Sequence, residues 1–489
     1  MSPPSHHHGH SLGLVADLYQ LTMAFAYWKQ GLAEREAVFH LSFRASPFRG
    51  SFAICCGLQS ALDYLTHWHF DETDLGYLAT LETNTGNRLF PSEFLDYLST
   101  LHFAGNIDAI REGTVVFPQQ PLLRIRGPLL PVQLVESGLL NLVNFQTLIC
   151  TKAARICLAA APTPVVEFGL RRAQGFDAAL FATRAAFIGG CTATSNLWAG
   201  KQLRIPVRGT HAHSWVLAFE DERTAFEAFA DVFPDNCVFL VDTFQTTDGV
   251  QNAIEVGRRL RKEGHELVGV RLDSGDLGVL SQQARTMLDD AGFQQAVIVA
   301  SNDLDEDSIS AWRESGAPIG MWGVGTRLVT GYDQPSLGGV YKLSALRNQQ
   351  GDWQHKLKRS ENGEKSTFPG ILQVRRFHRH GAPCTDMLYD ELTATSRPTV
   401  AIGPNHEVFP IDKTLDSEEL LIPVMREGVV VTEASCLEHL QQHARDQLTC
   451  FGLAEPQHPD RGSGYCVATE RNFLDRTQTL LGAGKETGP

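Results

Sequence analysis

The sequence predicts an α/β protein in which a parallel sheet, open or closed as a barrel, is flanked by smaller α+β material. Three observations predict it. Between residues about 160 and 345, short β-branched runs alternate with amphipathic helical runs. The later strand candidates recur every 24 to 30 residues or so, the size of a βα unit. Polar residues also collect at the same end of each strand candidate, where parallel α/β folds place their sites. At 489 residues the chain exceeds one ordinary core, since chains divide beyond roughly 250–300 residues. The expected division is an N-terminal α+β domain over 1–140, an α/β unit over 141–346, and C-terminal segments over 347–489 that pack on both.

The elements follow in order. Leu18, Leu21, Phe25 and Trp28 recur at helical spacing, with Asp17 as N-cap and Gly31 as stop. Thr114–Phe117 and Leu122–Arg126 read as short strands, and Leu134–Leu148 as a buried helix. The central strand candidates are Pro164–Phe168, Pro206–Gly209, Cys237–Val241, Leu267–Leu272, Ala296–Ala300 and Ile319–Gly323. Val250, Ile254, Val256 and Leu260 make one helix face. Arg258, Arg259, Arg261 and Lys262 crowd the last turn before Gly264, complementing the helix dipole. Leu277, Leu280, Ala284 and Leu288 make the next helix, and Ile309 and Trp312 sit in a third. Beyond 346, Asp352–Lys365 reads as a polar loop or hairpin. Pro369–Val374 and Val429–Thr432 read as strands, and Ser435–Asp446 as a helix.

Composition bounds the function. Apolar residues at 43% and charged residues at 20% are globular values. A net charge of −14 argues against nucleic acid as partner, because phosphate backbones need a basic face. No stretch approaches the roughly 20 apolar residues of a membrane helix, and no secretory signal opens the chain. The 10 cysteines lack C-x-x-C spacing, so a cytoplasmic chain with reduced thiols is expected. His6, His7, His8 and His10 form a metal-capable cluster that reads instead as a leader.

The strand ends carry the chemistry. Glu167 and Arg171 lie at the first, and Thr210, His211, His213 and Ser214 follow the second. Asp242 and Thr243 end the third, and Arg271, Asp273, Ser274 and Asp276 the fourth. Ser301, Asn302 and Asp303 end the fifth, and Gly323, Gly325 and Thr326 the sixth. Many of these residues are also ordinary helix N-caps, but a run over six strands exceeds what capping requires. The loops Gly189–Thr192 and Gly323–Thr326 can turn backbone N–H groups toward an anion. Arg171, Arg172, Arg208, Arg271 and Arg327 lie beside these loops, with the bidentate geometry that phosphate and carboxylate prefer. Asp242, Asp273 and Asp276 are suited to Mg²⁺, which takes one or two carboxylates plus substrate phosphates. A phosphate-bearing substrate with a divalent ion is the expectation. The rival reading is a zinc-dependent amidohydrolase using His211 and His213, which needs further histidines that the later strand ends do not offer. A non-catalytic binding protein would have no need to pair histidine with carboxylates and anion loops.

Five motifs resemble the nicotinate phosphoribosyltransferase family: Ala16-Asp-Leu-Tyr-Gln-Leu-Thr-Met, Glu167-Phe-Gly-Leu-Arg-Arg-Ala-Gln-Gly, Gly209-Thr-His-Ala-His-Ser-Trp, Val270-Arg-Leu-Asp-Ser-Gly-Asp-Leu and Pro335-Ser-Leu-Gly-Gly-Val-Tyr-Lys-Leu. The likeness runs from about residue 12 to about 346 and weakens beyond. It implies the irregular α/β barrel of type II phosphoribosyltransferases, with an N-terminal α+β domain completed by C-terminal segments. The implied reaction joins nicotinate to phosphoribosyl pyrophosphate, giving nicotinate mononucleotide and pyrophosphate. It is coupled to ATP hydrolysis through a phosphohistidine, needs Mg²⁺, and serves NAD salvage in a cytoplasmic homodimer.

The resemblance also implies roles. His213 matches the phosphate-accepting histidine, with Asp242 as the neighbour fixing its tautomer. Phe168 and Tyr19 resemble the aromatic pair that sandwiches the pyridine ring, Tyr19 coming from the partner subunit. Arg171 and Arg271 resemble contacts to substrate phosphate or to the nicotinate carboxylate. Asp273 lies beside base and ribose, and Thr210 belongs to the substrate-binding motif. Ser301, Asn302, Gly325 and Thr326 match the 5′-phosphate region. Thr192 stands where nicotinamide-using relatives carry Asp, which favours the acid substrate. Nicotinamide phosphoribosyltransferase is the alternative, with quinolinate as base further behind.

Overall fold

Short, largely apolar runs of two to six residues between helices build the sheet that positions the site. In the computed structural model, residues 11–358, 368–393, 400–403, 407–412, 414–453 and 465–482 are described. The chain forms two compact units. One comprises the stretch up to Leu148 together with the chain from Ser336 onward, and the other is Ile149–Pro335.

The second unit holds an all-parallel sheet of six strands. They are β1 (Val165–Glu167), β2 (Ala193–Thr194), β3 (Val238–Leu240), β4 (Gly269–Leu272), β5 (Val297–Asn302) and β6 (Met321–Val324). Their order is β2-β1-β6-β5-β4-β3. Both faces are covered, so the strands are continuously apolar until their last residues. Helices Thr246–Lys262, Leu277–Asp290 and Glu306–Glu314 connect the later strands, as the periodicity predicts. Asp276 and Asp305 cap the second and third of these through backbone N–H groups.

One predicted strand is corrected. Pro206–Gly209 is not a strand of the sheet; it makes a single parallel bridge between Val207 and Thr194. Thr194 N–H donates to Pro206 O at 3.0 Å, and Arg208 N–H to Thr194 O at 2.9 Å. The second true strand, β2, has only two residues, too short to show a sequence pattern. Beyond Arg208, His211 reaches β3 at the far end of the strand order, its Nε2 accepting from Leu240 N–H at 3.3 Å. That contact and the bridge at Val207 tie one segment to both end strands, which gives the unit its irregular, barrel-like character.

The larger sheet of the first unit is antiparallel. Its seven strands run in the order Trp353–His355, Gly339–Arg347, Glu36–Phe43, Leu123–Pro128, Asn106–Ala109, Ile422–Arg426, Val429–Val430. Strands from beyond residue 336 therefore complete the sheet begun by N-terminal ones. A second sheet of six strands is built wholly from residues after 371. It is organised around the fully buried pair Arg376–Asp386, joined at 2.8 Å; Gln120 and Tyr465 also donate to Asp386. The boundaries of the two units fall at 148/149, within the single helix Glu136–Ala160, and at 335/336, ahead of Gly339–Arg347, which pairs with Glu36–Phe43. Part of the predicted loop Asp352–Lys365, and the histidines at 6–10, lie outside the described residues.

Candidate active site

Every parallel strand of the second unit ends at one face, and a cleft of about 380 Å³ opens there. Phe168, Arg171, Ser195, Thr210, Arg271, Asp273, Ser301, Asn302, Gly325 and Thr326 are among the residues that line it. Nine of these were expected from sequence, and the parallel topology brings them together from segments far apart in the chain. Ser195 was missed, because it follows the two-residue strand that the sequence pattern conceals.

At one end of the cleft, Phe168 leaves β1 with its N–H donating to Val324 O at 2.8 Å. Its ring lies on Gly323, where an added Cβ would sit 2.5 Å from Phe168 Cε2. Glycine at 323 is thus a space requirement, set by a ring facing the site. Arg171 and Arg172 follow on the short helix Leu170–Arg172 and are exposed. Behind Phe168, the buried Glu167 carboxyl group lies 2.9 Å from Thr183 Oγ1 and accepts from Thr194 Oγ1 at 2.6 Å and from Gly169 N–H.

Across the cleft, Arg271 Nη1 donates to Thr210 Oγ1 at 2.7 Å and to His211 O at 3.3 Å. Its Nη2 lies 3.9 Å from Asp273 Oδ1. Burial and the charge of Arg171 lower its proton affinity against the pull of Asp273 and Asp242. An arginine stays charged under such shifts. Asp273 also accepts from Ser301 Oγ, which links the ends of β4 and β5. Asn302 holds a φ of +134°, a costly conformation for a residue with a side chain, at the point where β5 enters the site.

His213 begins the short helix His213–Val216 and is partly exposed. Its Nδ1 lies 3.1 Å from Thr243 Oγ1 and its Nε2 lies 3.9 Å from Asp273 Oδ2. The expected Asp242 contact is corrected. Asp242 Oδ2 accepts instead from Asp273 N–H and Ser274 Oγ, each at 2.7 Å, and so braces the loop after β4. The neighbour of His213 is therefore Thr243, one residue further along the same turn.

His211 does not pair with His213 as a metal ligand would. Its ring packs among Phe226, Phe229 and Phe239, and burial pushes its pKa down to about 4. Among the described residues no cluster of three His, Cys, Asp or Glu is placed to hold a metal. Arg327 is engaged by Asp305 at 2.8 Å and stacks on Tyr332, so it holds the loop after β6. Thr192 donates backward from N–H and Oγ1 to Val165 O. Tyr19 lies in the other unit, half exposed on helix Leu18–Lys29.

The family model for the nicotinate phosphoribosyltransferase N-terminal domain matches residues 14–144. A nicotinate phosphoribosyltransferase of Bacillus subtilis is 42% identical over 445 residues, covering 90% of this chain and 89% of its own. The chain belongs to the nicotinate phosphoribosyltransferase family. A family member from Mycobacterium tuberculosis is 39% identical over 472 residues, covering 96% of this chain and 94% of its own. The crystal structure of human nicotinic acid phosphoribosyltransferase superposes with a TM-score of 0.82 at 29% identity. That match covers 96% of this chain and 100% of the human chain, so the family fold extends through the C-terminal third where the motifs fade. No helix among the described residues is long and apolar enough to cross a membrane.

Proposed function

We propose that this chain forms nicotinate mononucleotide and pyrophosphate from nicotinate and phosphoribosyl pyrophosphate, with ATP hydrolysed through a phosphohistidine at His213, as a step of NAD salvage. The observation that carries the reading is the convergence of an aromatic ring, arginines and anion-binding loops on one cleft at the strand ends. Phe168 offers a face for the pyridine ring, with Tyr19 of a second copy expected on the other side. Arg171 and Arg271 line the same cleft and can offer a carboxylate or phosphate of the substrates a bidentate partner. The 5′-phosphate is assigned to Ser301, Asn302, Gly325 and Thr326, with N–H groups at the start of helix Thr326–Val329 as donors.

In the reaction the pyridine nitrogen attacks the anomeric carbon, the C–O bond to pyrophosphate breaks, and positive charge passes through the ribose. The chain's part is positioning and charge stabilisation. Asp273, held by Ser301 and facing both Arg271 and His213, stands where it can stabilise the ribose cation. Mg²⁺ is expected to arrive with the substrate phosphates. Asp242 Oδ1 is buried with no hydrogen-bond partner, and with Asp273 it supplies the hard oxygen donors that fit this ion. When bound, the ion would neutralise charge on the departing pyrophosphate.

For the ATP half-reaction, His213 is assigned the tautomer in which Nδ1–H donates to Thr243 Oγ1, 3.1 Å away, which leaves the Nε2 lone pair to react. Nε2 attacks the γ-phosphorus, ADP leaves, and water later cleaves the P–N bond. The test is a base-competition assay with phosphoribosyl pyrophosphate, Mg²⁺ and ATP, offering nicotinate, nicotinamide or quinolinate. Nicotinate mononucleotide with ADP is the expected result, and product from nicotinamide alone would move the specificity. His213→Ala is expected to abolish ATP hydrolysis while leaving slow base transfer. ATP turnover at the wild-type rate in that variant would refute the histidine's role.

A further inference from the structure

We propose that Glu167 is carried as the neutral acid and acts as a positioning residue, tying together the two loops that form the base-binding end of the cleft. The inference rests on the assignment of that end to nicotinate. Glu167 is 1% exposed and does not reach the cleft. It joins two segments that do. Its Oε1 accepts from Gly169 N–H, which follows Phe168, and its Oε2 accepts from Thr194, which precedes Ser195. Its own carbonyl accepts from Ser195 N–H at 2.9 Å. The loop is built closely over the carboxyl group, since a Cβ at Gly169 would stand 2.8 Å from Glu167 Oε1 and 2.2 Å from Val329 Cγ1.

The hydrogens can be counted. Thr183 has one hydroxyl proton, yet its Oγ1 lies 2.9 Å from both Ala179 O and Glu167 Oε2. A carbonyl can only accept, so a proton given to Ala179 leaves the Glu167 contact in need of a proton from the acid. Asn196 Nδ2 also donates to Thr183 Oγ1 at 3.3 Å. Thr194 Oγ1 accepts from Asn196 N–H at 2.9 Å, so its proton is free for Glu167 at 2.6 Å. A neutral acid satisfies every contact at once: Oε2–H donates to Thr183, Oε2 accepts from Thr194, and Oε1 accepts from Gly169.

Ionised, the group would hold a full charge with no cation among its hydrogen-bond partners. Burial pushes its pKa up against the pull of its hydrogen bonds with Thr194, Gly169 and Thr183. The groups facing it are Thr183 on helix Phe176–Ile188, Thr194 on β2, Val324 on β6 and Val329 on helix Thr326–Val329. From the loop before β2 the ionisable neighbour is Cys191, whose buried thiol is held well above its ordinary value. A neutral Glu167 keeps negative charge away from the end that is to receive a carboxylate.

The experiment uses Glu167→Gln and Glu167→Ala in the full chain. Steady-state KM and kcat are measured across neutral and alkaline pH, with difference infrared spectra alongside. Glutamine is uncharged, accepts from Gly169 N–H and donates to Thr183, and Thr194 Oγ1 can accept its second amide proton, so Glu167→Gln is expected to keep the nicotinate KM within about twofold of wild type, and to abolish any alkaline rise in that KM. Glu167→Ala should raise the nicotinate KM about tenfold while the phosphoribosyl pyrophosphate KM moves less than about twofold. A carboxylic-acid carbonyl band present in wild type at neutral pH should vanish in Glu167→Gln. Loss in Glu167→Gln as large as in Glu167→Ala, or no such band, would overturn the proposal. If wild type makes no nicotinate mononucleotide, the functional reading fails by itself, and the infrared band still decides the state of Glu167.

Discussion

Gly323→Ala is the smallest perturbation that reaches the base-binding end of the cleft. The added methyl would fall 2.5 Å from Phe168 Cε2, 2.6 Å from Cδ2 and 3.4 Å from Cζ. Carbon atoms rest about 3.5–4.0 Å apart, so the ring must retreat by about 1 Å. Forcing that shift in a packed site costs about 1–3 kcal/mol of stability. If Phe168 stacks on nicotinate, losing the stack removes about 0.5–1.5 kcal/mol of binding, a two- to twelvefold rise in nicotinate KM by order of magnitude. Gly320→Ala is the control. It lies before the opposite end of β6, where a Cβ would meet Val297 Cγ1 at 2.9 Å. It should lower Tm with no change in KM. Steady-state kinetics for both substrates and a thermal melt of each variant give the answer. An unchanged nicotinate KM in Gly323→Ala, together with a lowered Tm, would refute the stacking role of Phe168.

Two further outcomes are expected. If Tyr19 acts across a subunit interface, co-expressing Tyr19→Ala with His213→Ala chains should restore about a quarter of wild-type activity, because each mixed dimer regains one intact site; no recovery would place Tyr19 outside a shared site. His40, His211 and His443 have pKa values pushed down by burial to about 3, 4 and 4, so they are neutral when folded and take up protons on unfolding. Their contribution to stability is present above the unfolded value near 6.5 and is lost as pH falls toward about 4. Proton uptake on unfolding near pH 5, measured by calorimetry in buffers of different ionisation heat, should fall by about one proton in His40→Gln. An unchanged uptake would refute the burial argument.

Legibility in the sequence followed element length and contact range. Helix Thr246–Lys262 was readable because Val250, Ile254 and Leu260 repeat at helical spacing and cations crowd its end. Strands β3 to β6 were readable because each is a short, largely apolar run that ends at or just before an Asp, Asn or Gly. Strand β2 was not, since two residues carry no period, and Ser195 was lost with it. The tautomer partner of His213 was misassigned by one residue, because Asp242 and Thr243 share a turn and only the backbone decides which faces the ring. His211 had no legible role, because the bond from Leu240 N–H joins residues 29 apart. The strands that complete the N-terminal sheet lay beyond local pattern for the same reason: Ile422 pairs with Ala109.

A chain of net charge −14 in a family whose substrates, nicotinate and a phosphoribosyl donor, are anions needs a physical account. Net charge acts at range, and exposed charges more than about 8 Å away are screened at physiological salt. What an anion meets in the cleft is local: Arg171, Arg172 and Arg271, against Asp273 and Asp303. Arg271 is fixed by Thr210 and the His211 carbonyl, so its planar fork is set before substrate arrives. That arrangement lowers the ordering cost of each ionic hydrogen bond made later. Lysine at 271 would keep the charge and lose the fork. The carboxylate of Asp273 is spent on Ser301 and faces Arg271 and His213, so much of its repulsion toward a phosphate is offset within the site. Neutral Glu167 extends the same logic to the base end. The acidic surface is compatible with anionic substrates because the groups deciding affinity are few and oriented, and lie closer to the substrate than the screening length.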